Sequence, residues 1–144
     1  MAARTANALW EGSVQEGRGQ MALGSGAFEG AYSFKSRFDE GENGTNPEEL
    51  LAAAHAGCFT MALSLYLGEA GHEPESIQTQ AKVRMRNTES GPTITGIALT
   101  TAGKVEGIDE AEFQKAAEAA KENCIVSRAL AGVEDITLEA KLES

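Results

Sequence analysis

The chain has 144 residues, 42% hydrophobic and 24% charged, which fits one globular domain, 1–144, with a core of its own. Its net charge is −10 and its Lys and Arg residues are scattered, so it offers no basic surface for nucleic acid or an anionic membrane. Two cysteines are too few for a disulfide-built secreted scaffold, and Met1-Ala2-Ala3-Arg4-Thr5-Ala6-Asn7 lacks the apolar core of a signal peptide, so a cytoplasmic protein is expected.

Residues around Leu9 and Trp10 place a strand between Thr5 and Val14, and Gly17-Arg18-Gly19 reads as the turn after it. Met21 to Leu23 and Ala31 to Phe34 read as short strands flanking Gly24-Ser25-Gly26. An acidic, glycine-rich loop, Asp39 to Gly44, leads to a helix with strong start signals. Asn46 suits the N-cap, Pro47 the first helical position, and Glu49 the acid of a capping box. Glu48 and Glu49 also suit the positive end of the helix dipole.

Leu50 to Leu67 then runs 18 residues without an acid, Lys or Arg, the length at which a membrane span is considered. His55, Gly57, Thr60, Ser64, the alanines and the acidic flanks favour a buried helix of a globular protein instead. It should stop near Gly68 or Gly71. Its faces are apolar nearly all round, so it calls for burial on most sides. A chain this size can hardly wrap it alone, and the same helix of a second subunit is the natural cover.

Ile77, Thr79, Ala81, Val83 and Met85 alternate with polar residues in a half-buried strand; Gly91-Pro92 turns, and Ile94 to Val105 forms another. Asp109 and Glu112 open a helix to about Asn123, Val126 to Ala131 forms a short one, and Ile136, Leu138, Ala140 and Leu142 alternate in a closing strand. Strands grouped apart from helices indicate an α+β fold, mainly antiparallel, packed on a long buried central helix.

Cys58 lies in the apolar helix and Cys124 at the end of the later one. The bland reading of a buried cysteine is a small core hydrophobe. A reactive thiol needs a cation beside it. Taking any thiol from about 8.5 to about 6 requires roughly 3.5 kcal/mol of preferential thiolate stabilisation, which one partly buried arginine can supply. Arg37 and Arg18 are the candidates. Arg37 lies in Phe34-Lys35-Ser36-Arg37-Phe38, where the rings hold it partly buried, and Glu48 is the nearest attractive carboxylate partner. Glu48 precedes Cys58 by ten residues, about 15 Å along a helix axis, so the two cannot touch within one helix. If both serve one site, the geometry points to the second subunit's copy, with two such helices crossing in a dimer. His55, Ser64 and Tyr66 read as satisfied core or interface groups. His55, Cys58, His72 and Cys124 are widely spaced and lack a paired zinc knuckle, so no metal is expected. No Ser/His/Asp arrangement, phosphate loop or dinucleotide fingerprint is present, so no cofactor is expected.

Arg37, then Gly44-Thr45-Asn46-Pro47-Glu48-Glu49-Leu50, then Ala56-Gly57-Cys58-Phe59, with a second cysteine near the end, resembles the OsmC/Ohr family of thiol peroxidases over essentially the whole chain. Trp10-Glu11-Gly12, the Tyr32 to Phe38 stretch, Leu63-Ser64-Leu65 and Gly68-Glu69-Ala70-Gly71 are similar to its OsmC branch. The resemblance implies an intertwined α+β homodimer with two sites at the interface, reducing organic hydroperoxides. It implies Cys58 as the thiolate that becomes a sulfenic acid, and Cys124 as the partner that closes a disulfide, recycled by an external dithiol. Arg37 would stabilise the thiolate and Glu48 would orient Arg37, with Arg18 as the alternative arginine. The family often has proline after the resolving cysteine, where this chain has Ile125. The apolar residues Phe28, Phe34, Phe59, Met61 and Tyr66 are expected to line the thiol and to suit alkyl or lipid hydroperoxides. A thiol redox sensor that forms the disulfide without turning over is the competing reading.

Overall fold

The computed structural model describes residues 1–41 and 43–143. They form two compact units, Met1–Leu50 and Leu51–Ser144.

The first unit is built on an antiparallel sheet of β1 (Ala6–Glu11), β2 (Arg18–Leu23) and β3 (Glu29–Tyr32), in that order. The turn expected at Gly17-Arg18-Gly19 comes earlier, because Arg18 and Gly19 already pair with Glu11 and Trp10. The Trp10 indole fixes it: Nε1 donates to the carbonyls of Gly12 at 3.1 Å and Ser13 at 3.2 Å. The register sets Trp10, Gly19 and Tyr32 in one row across the sheet. The two rings meet with centroids 5.4 Å apart, and a Cβ on Gly19 would come within 2.5 Å of atoms of both. Glycine on the middle strand is what lets them touch.

β3 stops at Tyr32, not at Phe34 as its composition suggests. The Ser36 N–H donates to Ser33 Oγ at 3.0 Å and the Ser33 N–H to Ser36 Oγ at 2.8 Å. This reciprocal cap offers the backbone partners that a strand ladder would otherwise supply, and it starts the short helix α1 (Phe34–Phe38).

Helix α2 (Pro47–Glu69) crosses into the second unit, which carries β4 (Ser76–Thr88), β5 (Gly91–Lys104), α3 (Glu110–Asn123), α4 (Ile125–Ala129) and β6 (Asp135–Glu143). β4 and β5 pair antiparallel, and β6 lies parallel to β5 on its other side. The parallel pair follows from the connection: α3 and α4 carry the chain back so that β6 runs in the direction of β5. The expected Asp109 cap is in place, accepting the Glu112 N–H at 2.8 Å.

The core of this unit draws Ile97 and Leu99 from β5, Phe113, Ala117 and Ala120 from α3, and Phe59, Leu63 and Leu67 from α2. With His55 they make a stripe along α2, each without exposed surface. Among the described residues α2 is the one helix long and apolar enough to span a bilayer. A stripe of it, Phe59, Leu63 and Leu67, joins the core of this unit. Its burial is one-sided, however: Met61 is 78% and Leu65 58% exposed, and Ala54, Gly57 and Gly68 are exposed beside them. Burial on most sides, expected from the composition, is not reached within one chain, which has one face of core to offer.

Candidate active site

Arg37 and Glu48 meet within the first unit. Arg37 sits in the last turn of α1 and Glu48 in the first turn of α2, and the loop joining them is stapled from both sides. Asn46 Nδ2 donates to the Ser36 carbonyl at 2.9 Å, while its Oδ1 accepts the Glu49 N–H at 2.7 Å as the helix cap. Ser36 Oγ donates to the Thr45 carbonyl at 2.8 Å. The Glu49 carboxylate accepts the Thr45 hydroxyl at 2.8 Å, where its position had suggested a reciprocal capping box. Gly44 adopts φ +110°, and a Cβ there would approach the Ala31 carbonyl oxygen to 2.8 Å. Gly44→Ala is therefore expected to cost about 1–3 kcal/mol, read as a lower urea midpoint of the first unit.

The ion pair is forked. Arg37 Nη2 lies 2.7 Å from Glu48 Oε1, and Nε lies 3.0 Å from Oε1 and 3.3 Å from Oε2. Glu48 is buried, whereas the Arg37 side chain keeps 41% of its surface. The guanidinium carbon sits 5.5 Å from the Phe38 ring centroid, and the Phe34 and Phe38 rings are 4.8 Å apart. Trp10, Tyr32, Phe34, Arg37 and Phe38 line a cleft of about 230 Å³. A tethered cation at an aromatic cleft suits a small molecule with a polar oxygen and an apolar tail. Arg18, the alternative, has an 82% exposed side chain 3.6 Å from Glu11, a surface pair of little energetic weight.

In the second unit both cysteines are free thiols. Cys58 is half-buried on α2 and packs against the core that contains Cys124. Cys124 joins α3 to α4. Its N–H donates to the Ala120 carbonyl at 3.0 Å, and its Sγ accepts the Ser127 N–H at 3.3 Å as the cap of α4. Ile125 opens α4 with a 70% exposed side chain. Ser127 Oγ lies 3.1 Å from Cys124 Sγ and 2.7 Å from His55 Nε2. Of the apolar residues expected around the thiol, Phe59 is committed to the core, Met61 is exposed, Phe34 lines the cleft of the first unit, and Phe28 lies over Gly30.

The model of the family described as OsmC-like protein matches residues 39–139. The chain belongs to the OsmC-like family. It is 48% identical to Peroxiredoxin OsmC of Escherichia coli strain K12 over 138 residues, 95% of this chain and 94% of that protein. It is 36% identical to the organic hydroperoxide resistance protein OhrB of Bacillus subtilis strain 168 over 103 residues, 71% of this chain and 74% of that protein. The crystal structure of Bacillus subtilis OhrB superposes with a TM-score of 0.69 at 26% identity, covering 96% of this chain and 98% of the other.

Two residues of this OsmC-like chain go beyond the sequence reading. His55 is only half satisfied: Nε2 has its partner, but Nδ1 has none among the described residues. Ser127 has no counterpart among the sequence expectations, because its contact with His55 spans 72 positions and leaves no local pattern. Burial pushes the His55 pKa below its usual value. The unfolded chain then binds a proton at a higher pH than the folded one, so stability is full above the unfolded value near 6.5 and falls as pH drops towards the folded value. Urea midpoints measured from pH 7.5 down to 5 should decline in this way, and His55→Phe should remove that part of the decline.

Proposed function

We propose that this OsmC-like chain is a thiol-dependent peroxidase that reduces organic hydroperoxides to alcohols. Relatives named peroxiredoxin and organic hydroperoxide resistance protein support the peroxidase-type role. The observation that carries the finer reading is the forked Arg37–Glu48 pair at an aromatic cleft, in a chain with two free cysteines.

In this reading the Cys58 thiolate attacks the distal peroxide oxygen. The O–O bond breaks, the alcohol leaves with a proton, and Cys58 becomes a sulfenic acid. Arg37 favours the thiolate and donates to the peroxide oxygens, with its fork to Glu48 keeping the guanidinium from swinging into solvent. The Cys124 thiol then displaces water from the sulfenic acid, and an external dithiol reduces the resulting disulfide. A cytoplasmic setting, where such reductants act, suits the cycle.

Glu48 and Cys58 stand well apart along α2, and the exposed Met61–Leu65 face of that helix is left for a partner. Both support a homodimer in which one protomer's Arg37–Glu48 pair completes the site at the partner's Cys58. Sedimentation at micromolar concentration should give a dimer that Leu65→Glu weakens. A monomer with full activity would end this part of the reading.

The test is steady-state consumption of cumene hydroperoxide with a dithiol reductant. Turnover is the expected result. A single oxidation without recycling would instead make the chain a redox sensor. Cys124→Ser should reduce one equivalent and then stop when the reductant cannot reach the Cys58 sulfenic acid.

A further inference from the structure

His55 and Ser127, neither of them used in the peroxidase cycle, make a hydrogen-bonded line that ends on Cys124. It links two residues 72 apart in sequence, His55 Nε2 and Ser127 Oγ at 2.7 Å, and continues to Cys124 Sγ at 3.1 Å. All three are buried: His55 has no exposed surface, Cys124 3% and Ser127 6%. The Ser127 N–H also reaches the sulfur at 3.3 Å, so the thiol is gripped from two atoms of one residue.

The line comes with a disadvantage. Whichever ring nitrogen carries the hydrogen, Nδ1 of His55 is buried without a partner among the described residues. A buried polar group without a partner is destabilising, and a phenyl ring in its place would carry no such penalty. A residue filling space alone has no reason to be histidine. What the ring does through Nε2 is the reason the structure supplies.

We propose that Ser127 and His55 form a proton relay that readies Cys124 for disulfide closure, with Ser127 in direct contact with the reacting sulfur and His55 a positioning residue acting through it. The inference rests on the peroxidase reading above. As Cys124 Sγ attacks the sulfenic sulfur of Cys58, the S–S bond forms and the S–O bond breaks. The thiol proton passes to Ser127 Oγ, and the Ser127 proton passes to His55 Nε2. The departing hydroxide takes up a proton and leaves as water, His55 returning to its neutral form. The thiol sulfur is oxidised, the sulfenic sulfur is reduced, and no further oxidant is needed. Burial disfavours the charged ring, so His55 begins each cycle neutral with a lone pair to offer.

The test is rapid mixing of pre-reduced protein with one equivalent of cumene hydroperoxide, quenching at intervals with a thiol alkylator, and weighing the products. In Ser127→Ala and His55→Phe the Cys58 sulfenic acid should accumulate, with disulfide closure about a hundredfold slower than in wild type. Ser127→Thr, which keeps the hydroxyl, should restore most of the rate. A role in packing alone predicts the reverse order of damage, with Ala tolerated and the larger Thr not. Closure at the wild-type rate in both Ser127→Ala and His55→Phe overturns the relay while leaving the peroxidase standing. Should His55→Phe fail to fold, the Ala and Thr variants at position 127 decide the matter. Wild-type protein that forms no sulfenic acid at all overturns the peroxidase reading, and the relay with it.

Discussion

Cys58→Ser is expected to consume cumene hydroperoxide no faster than buffer with dithiol alone, a loss of about four orders of magnitude or more. A serine alcohol is not ionised near neutral pH and is a poor nucleophile towards peroxide oxygen, so a nearby cation cannot rescue it. Stability should hardly change. Cys58 is half-buried at the margin of the core, and oxygen for sulfur removes little volume, so a shift within about 1 kcal/mol is expected. Peroxide consumption and a urea melt on the same sample separate the two effects. A variant that still turns over would move the reactive sulfur away from position 58 and undo the cycle.

Glu48→Gln tests the other half of the site. The amide keeps the size of the side chain but loses the charge that both Nε and Nη2 of Arg37 address. A guanidinium freed from its fork spends most of its time elsewhere, and a preorganised donor of this kind contributes about a hundredfold or more to rate. The expected outcome is a fall in kcat/KM of that order. The stability loss should be only about 1 kcal/mol, because Arg37 remains 41% exposed and water screens the pair. Arg37→Lys should resemble it, since an ammonium keeps the charge without the planar fork. Unchanged kinetics in both variants would remove Arg37 from the mechanism.

Much of this could be read from residues, and where reading failed the reasons are physical. The caps at Asn46 and Asp109 are local chemistry, visible as short patterns, and both helices begin where those side chains place them. The Arg37–Glu48 pair followed from a partly buried cation needing a carboxylate. The helix at Phe34–Phe38 was missed because two serines outweigh a run of strand-compatible residues, and a serine pair carries little signal unless its spacing is read as a cap. Arg18 was misplaced in a turn because three residues rich in glycine look like one. The actual reversal is held by the Trp10 indole, upstream of all three, a contact that no window of composition records. The His55–Ser127 contact spans 72 positions, and only the packing of α2 with α4 creates it.

Trp10 is the sole tryptophan of the chain and sits in the first sheet against Tyr32. Its emission is therefore a dye built into one unit and silent about the other, whose fully buried aromatic rings are Phe59 and Phe113. Circular dichroism at 222 nm weighs α2 and α3 most heavily, both mainly outside that sheet. Comparing the two signals through a denaturant titration distinguishes a molecule that melts in one cooperative step from one that comes apart in halves.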